Sequence, residues 1–90
     1  MTSKVVWEVL RDAKVIPYLN RDEELAYYPI VVQYFDQSLI ENILTEYYSV
    51  PLVGGGGWRE EYIQAIELEL AERELLGKSH KELPEKVVLL

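Results

Sequence analysis

Four consecutive glycines, Gly54, Gly55, Gly56 and Gly57, constrain this chain more than any other feature, because they separate two kinds of sequence. The residues before them are rich in β-branched and aromatic side chains, whereas Ala, Glu and Leu dominate most of the chain after them. Glycine loses more backbone entropy on ordering than any other residue, so a run of four favours a loop. We therefore expect a flexible loop over residues 49–57, between a β-rich front half and a long helix.

The length and the absence of cysteine predict one small domain that lacks covalent cross-links. The chain has 90 residues and no cysteine, so neither disulfides nor cysteine-bound metal can stabilise it. A hydrophobic share of 49% is typical of a folded chain and argues against disorder. Small domains without such cross-links often gain buried surface by association. We therefore expect a homo-oligomer, in the reducing environment of the cytoplasm.

The charge of the chain argues against two classes of partner. The formal net charge is −7, and the nine Lys and Arg residues form no cluster. Direct binding to nucleic acid or to an anionic membrane surface needs such a basic patch. No apolar run approaches the ~20 residues that span a bilayer, and Glu8 interrupts the N-terminal segment, so we expect neither a membrane span nor a secretory signal.

Two segments before the glycine run have the apolar spacing of amphipathic helices. In residues 3–14 apolar side chains recur at i, i+3, i+4 and i+7, although the opening Val-Val-Trp would also suit a strand. Residues 39–48 show the same spacing, and Ser38 and Glu41 stand three residues apart, as in a capping box. We predict a helix over each segment.

The strands of the predicted fold lie in two short apolar segments. Residues 28–35 are dense in β-branched and aromatic side chains, and Pro29 stands near the start, where a missing N–H does least harm to a strand. Residues 86–90 form the second candidate strand. Two or three strands packed by helices make a small α+β domain, which is the predicted fold class. An all-α bundle is the alternative.

The segment after the glycines, residues 58–76, predicts a helix of about five turns that ends at Gly77. Alternation of apolar and charged residues over 66–70 would also suit a strand, but the flanking residues are good helix formers. Two apolar stripes lie on different sides of this helix: Ile63, Ile66 and Leu70 on one, Leu68, Ala71 and Leu75 on the other. One stripe would cover the core and the other would contact a partner.

A glycine run before a helix would suit a phosphate-binding loop, but the next residues in the chain oppose that function. Trp58 and Arg59 stand where a Walker-type loop needs Lys followed by Ser or Thr. Glu60 and Glu61 occupy the first turn of the predicted helix, and their carboxylates would repel a phosphate. We therefore predict no cofactor at this loop.

The sequence favours a non-enzymatic protein-interaction or assembly module, without cofactor or metal. Trp and Arg are enriched in binding hot spots, so the predicted partner-binding residues lie beside the loop and on the second stripe. They are Gly54, Gly55, Gly56, Gly57, Trp58, Arg59, Leu68 and Leu75.

Two other functions stay open. One is an acidic inhibitor or decoy that occupies a basic, nucleic-acid-binding surface of another protein. The other is a small cofactor-free enzyme with an aromatic pocket, which would need Asp36 or His80 inside a closed cavity. Asp36 equally suits the N-cap of a helix, and a single histidine cannot build a histidine-rich metal site.

Overall fold

The computed structural model describes residues 2–49 and 58–84, and these fold as helices around one hydrophobic core. Within these ranges four α-helices follow one another: α1 (Ser3–Asp12), α2 (Tyr28–Val31), α3 (Gln37–Ser49) and α4 (Glu60–Leu76). Short 3₁₀ helices precede and follow α2, over Glu23–Tyr27 and Val32–Tyr34. Within the described ranges there is no strand, so the α+β prediction is wrong and the all-α alternative fits.

The predicted strand over residues 28–35 is helical instead. A lone strand would leave its backbone N–H and C=O groups unpaired, whereas a helix satisfies them internally. Pro29 lies at the start of α2, where its missing N–H costs nothing and its fixed φ suits the first turn. The other candidate strand, residues 86–90, lies outside the described residues. Over residues 28–35, tertiary context therefore overrode β propensity.

The buried side chains of this segment have a helical spacing that a strand would not give. Tyr28, Val31, Val32 and Phe35 are buried, at i, i+3, i+4 and i+7, while Ile30 is exposed. A strand would have buried alternate residues. We call residues 28–35 the central segment.

The predicted helices 3–14 and 39–48 are confirmed as α1 and α3, with boundaries set by their caps. The Thr2 hydroxyl accepts a hydrogen bond from the Val5 N–H (3.3 Å), and α1 ends at Asp12, two residues earlier than predicted. The Asp36 carboxylate accepts from the Leu39 N–H at 2.7 Å, so α3 begins at Gln37. Asp36 rather than the predicted Ser38 therefore caps α3.

The long helix predicted over residues 58–76 is confirmed as α4. It begins at Glu60 and ends at Gly77, whose φ of 63° is the left-handed conformation typical of a C-terminal glycine. The predicted flexible loop over residues 49–57 begins inside α3 at Ser49; its remaining residues, including all four glycines of the run, lie outside the described ranges.

Aromatic side chains at the centre of the core join α1, the central segment and α4. The Trp7 indole N–H donates to the Tyr62 hydroxyl at 2.9 Å, and both side chains are buried. The ring of Tyr28 lies 4.5 Å from that of Tyr62, and the ring of Phe35 lies 6.2 Å from it, centroid to centroid. Tyr62 on α4 is therefore the residue on which these elements converge.

Candidate functional site

The outer side of α4 carries the most exposed apolar stripe on the described helices. Leu68 and Leu75 are 60% and 84% exposed, and Ala71 between them is also exposed. With Gln64 they follow one another at intervals of four, three and four residues, which is the spacing of a coiled-coil seam. We call Gln64, Leu68, Ala71 and Leu75 the outer stripe. Its two leucines stand about 10 Å apart along the helix axis.

Both edges of the outer stripe are acidic. Glu67 and Glu74 lie along one edge of the stripe, and Glu72 lies on the other. The Tyr48 hydroxyl donates to the Glu67 carboxylate at 2.9 Å, and Lys78 Nζ lies 3.1 Å from that of Glu72. The only basic residue within α4 is Arg73, which is buried on the other side. The exposed surface of the helix itself therefore presents leucines between carboxylates.

The inner side of α4 combines the predicted core stripe with a buried ion pair. Ile63 and Ile66 are buried and Leu70 is partly buried, as expected of the first stripe. Glu69 and Arg73 are only 4% and 6% exposed, and Arg73 Nε donates to Glu69 Oε2 at 2.8 Å. α4 thus buries two charged residues and exposes three leucines, Leu68, Leu75 and Leu76, of which the first two belong to the outer stripe.

Arg73 caps the carbonyl end of the central segment. Its Nη2 lies 2.7 Å from the carbonyl oxygen of Phe35, 3.2 Å from that of Val32 and 3.4 Å from that of Gln33. The last carbonyls of a helix have no partner within the helix, and a positive charge there complements the helix dipole. The Val32 and Gln33 carbonyls also accept backbone N–H groups, from Phe35 and Lys81, so the Phe35 carbonyl is the one that depends most on Arg73.

Further cationic and backbone groups complete this junction. Lys78 Nζ lies 3.5 Å from Glu69 Oε1, so the buried carboxylate faces a second cation. The Lys81 N–H donates to the Gln33 carbonyl at 2.8 Å, which fixes the chain beyond α4 to the same end of the central segment. The junction holds α4 in one rotational position, with its outer stripe facing away from the core.

The buried pair is what sequence reasoning missed. Glu69 and Arg73 stand at i, i+4, a spacing that predicts an ordinary surface pair. Helical spacing could have indicated their burial, because Glu69 and Arg73 stand three and seven residues after Ile66 and share its side of the helix.

Trp58 and Arg59, two of the predicted contact residues, lie away from the outer stripe. Trp58 is half-buried, with its ring 5.4 Å from that of Tyr62 and nearly perpendicular to it. Arg59 lies 3.7 Å from the Asp22 carboxylate and donates to the Arg21 carbonyl at 3.4 Å. The structure therefore separates these two residues from Leu68 and Leu75. Gly54–Gly57 lie outside the described residues.

A small cleft opens beside Arg59. Its volume is about 170 Å³, and its lining consists of Arg21, Glu24, Tyr28, Trp58, Arg59 and Tyr62. Burial raises the pKa of the Tyr62 hydroxyl, and the hydrogen bond from Trp7 partly opposes this shift. Burial also raises the pKa of Tyr28, while Arg59 acts in the opposite direction. Both phenols are therefore neutral at physiological pH.

The residues that an enzymatic pocket would need lie elsewhere. Asp36 is used as the cap of α3, and His80 is exposed in the segment after α4. Neither residue lines the cleft beside Arg59. The cleft has aromatic walls and one carboxylate, that of Glu24, but it contains neither of the two residues named for the enzymatic alternative.

The described residues show neither a metal site nor a membrane span. No group of His, Asp and Glu side chains among them has the arrangement of a metal site. None of the described helices is both long and apolar enough to cross a membrane.

Comparison with protein-family models, with curated proteins and with solved structures gives no match for this chain. Its function must therefore be inferred from the geometry and chemistry of the described residues.

Proposed function

We propose that this chain is a protein-interaction module that binds its partner through the outer stripe of α4. The observation that carries the proposal is the exposure of Leu68 and Leu75 on one line of the helix. Single exposed leucines are common on protein surfaces and need no explanation. Two on one stripe, at the spacing of a helix–helix seam, form the kind of surface that a partner helix covers.

The rigid attachment of α4 supports this function. The side opposite the outer stripe is fixed by Ile66 in the core and by Arg73 on the carbonyls of the central segment. A stripe held in one orientation loses little conformational freedom when a partner binds, so more of the contact energy contributes to affinity. Because the leucines lie on a helix rather than on a loop, their positions are also fixed before a partner binds.

The proposal includes neither catalysis nor a cofactor, and it places the protein in the cytoplasm. The chain contains no cysteine, so its fold depends on no disulfide and suits a reducing compartment. Two classes of occupant fit an apolar helix stripe: a second copy of this chain, which its small size favours, or a different protein.

Site-specific photocrosslinking in the cells that produce the protein tests the proposal. A photoreactive residue replaces Leu75 in one variant and Tyr18, which is 79% exposed outside α4, in a matched control. We expect a discrete crosslinked protein product from position 75 and none from position 18. Its mass distinguishes a second copy from another protein. Equal crosslinking from both positions, or none from position 75, would contradict the proposed function.

A further inference from the structure

We infer that the outer stripe binds an amphipathic helix of a different protein, whose apolar seam is flanked by Lys or Arg. This inference rests on the proposed function and names the chemistry of the partner. It derives from the charges at the edges of the stripe, which distinguish a second copy of this chain from a basic helix.

The heptad positions of α4 show why a second copy fits poorly. With Leu68 and Leu75 at the a positions, Glu67 and Glu74 occupy g positions and Glu72 occupies an e position. In a parallel pair of such helices, Glu67 of one copy faces Glu72 of the other. In an antiparallel pair, the two g edges meet and Glu67 faces Glu74. Both orientations place carboxylates against carboxylates.

No basic side chain of α4 offsets this repulsion. Arg73, the only candidate, is 6% exposed and committed to Glu69 and the central segment. Lys78, beyond the helix, is paired with Glu69 and Glu72. Like charges across an interface suppress wrong partners, and opposite charges steer association and fix register. The acidic edges therefore select against self-pairing and favour cationic edges on the partner.

The apolar part of the stripe sets the rest of the partner's chemistry. An extended polycation would satisfy the carboxylates but would leave Leu68 and Leu75 in water. A helix with apolar residues every three or four positions covers the leucines and brings its flanking cations to Glu67, Glu72 and Glu74. Since the two leucines stand only about two helical turns apart, the apolar contact is short and binding depends on both components.

Two synthetic helical peptides test this inference on the full chain. Both have the same seam of Leu and Ala at a and d positions; one has Lys at all e and g positions and the other has Glu. Binding is measured by fluorescence anisotropy. We expect the Lys-flanked peptide to bind at least about tenfold more tightly than the Glu-flanked one, with affinity that falls as salt rises.

Matched variants separate the stripe from general charge attraction. Leu68→Gln with Leu75→Gln keeps every charge of the protein, and we expect it to weaken binding of the Lys-flanked peptide by about tenfold or more. Glu67→Gln with Glu74→Gln should weaken binding and reduce its salt dependence. Val15→Gln with Tyr18→Gln removes exposed apolar groups outside α4 and should leave binding unchanged. Circular dichroism confirms that each variant is folded.

Three outcomes would overturn the inference. In the first, the Lys-flanked peptide binds no more tightly than the Glu-flanked one. In the second, the Leu68→Gln, Leu75→Gln variant binds the Lys-flanked peptide as well as the natural chain does, which would show charge attraction alone. In the third, the chain dimerises in sedimentation and this double substitution abolishes the dimer, which would make a second copy the occupant while sustaining the proposed function. The crosslinking experiment at position 75 tests the proposed function independently of either peptide.

Discussion

Helices α1 and α4 both contribute buried apolar side chains to the same core but differ in where their charged residues and leucines lie. In α1 the apolar residues Val6, Trp7 and Leu10 are buried and most charged residues face water. In α4 a glutamate and an arginine are buried, while three leucines are exposed, two of them on the outer stripe. α1 follows the common rule for a helix at the surface of a domain. α4 departs from it on both sides.

The comparison shows that each departure in α4 needs its own physical explanation. The buried charges are tolerated because they are paired and because Arg73 satisfies carbonyls at the end of the central segment. For the exposed leucines we propose a contact with another molecule. On this proposal, folding accounts for the inner side of α4 and binding for the outer side, whereas α1 needs folding alone.

The largest effect should come from breaking the buried pair. Arg73→Met removes the closest cation from the buried Glu69 carboxylate and the donor from the Phe35 carbonyl, so we expect a loss of about 3–5 kcal/mol in the free energy of unfolding. Urea denaturation followed by circular dichroism measures it.

A double variant and a matched control in α1 show whether the loss of stability in Arg73→Met comes from the buried pair. Glu69→Gln combined with Arg73→Met removes both charges and should recover part of it, because no uncompensated ion remains buried. Arg11, the arginine in the last turn of α1, is partly exposed, with its guanidinium 5.8 Å from the centre of the Tyr18 ring. Arg11→Met should cost less than about 1 kcal/mol. Equal losses for Arg11→Met and Arg73→Met would refute the capping role of Arg73.

Leucine truncations sharpen the comparison from the apolar side. Leu10 of α1 is fully buried, so Leu10→Ala should cost about 2–5 kcal/mol through lost contacts and the cavity left behind. Leu75→Ala should change the free energy of unfolding by no more than about 0.5 kcal/mol, since its side chain is already in water. Thermal denaturation of the two variants side by side gives the answer. A large loss for Leu75→Ala would assign that leucine to the fold rather than to a partner.

These contrasts explain how much of the fold could be predicted. Apolar periodicity identified α1, α3 and α4 because each helix is long enough for the spacing of its apolar residues to repeat. Gly77 marked the end of the last one. The central segment was mistaken for a strand because Ile30, Val31 and Val32 have high β propensity. The helical spacing of the apolar residues over 28–35 was present in the sequence, but propensity outweighed it in the prediction.

The candidate site was predicted only in part, for a physical reason. The second stripe of the long helix was visible from spacing, and the structure places Leu68 and Leu75 in solvent. Sequence periodicity alone does not say which stripe faces the core when a helix carries two. The buried pair decides this, because Arg73 reaches carbonyls some forty residues earlier in the chain, a long-range contact that no local pattern encodes.

A smaller effect should come from the cap of α3. Asp36→Ala removes the carboxylate that accepts the Leu39 N–H, and we expect a cost of about 1 kcal/mol. The comparable substitution in α1 is Thr2→Ala, whose longer 3.3 Å bond lies in an exposed place and should contribute less. Chemical denaturation of both variants measures the difference. A loss for Thr2→Ala as large as that for Asp36→Ala would contradict this ranking.

The last prediction concerns ionisation of the Tyr62 hydroxyl, which links α4 to α1 and stays neutral at physiological pH. Burial raises its pKa above the ordinary value of 10.0, so the unfolded chain releases this proton first as pH rises. The neutral Tyr62 hydroxyl therefore stabilises the folded chain fully below pH 10, and this contribution to the free energy of unfolding is lost as the pH rises further. We expect the urea midpoint to fall above pH 10, and to fall less steeply in Tyr62→Phe, which has no phenol to ionise there. Parallel curves for the two proteins would exclude Tyr62 as the cause.

The most direct test of the outer stripe as a binding surface is a nuclear magnetic resonance titration of the isotope-labelled full chain with the Lys-flanked peptide. Backbone amide signals report each residue separately, so the two sides of α4 are compared in one experiment. We predict that the largest shifts occur at Gln64, Leu68, Ala71 and Leu75 and at the glutamates beside them, with little change at Ile66 and Arg73. Shifts centred on the cleft beside Arg59, or spread evenly over the acidic surface, would contradict the claim that the outer stripe is the binding surface.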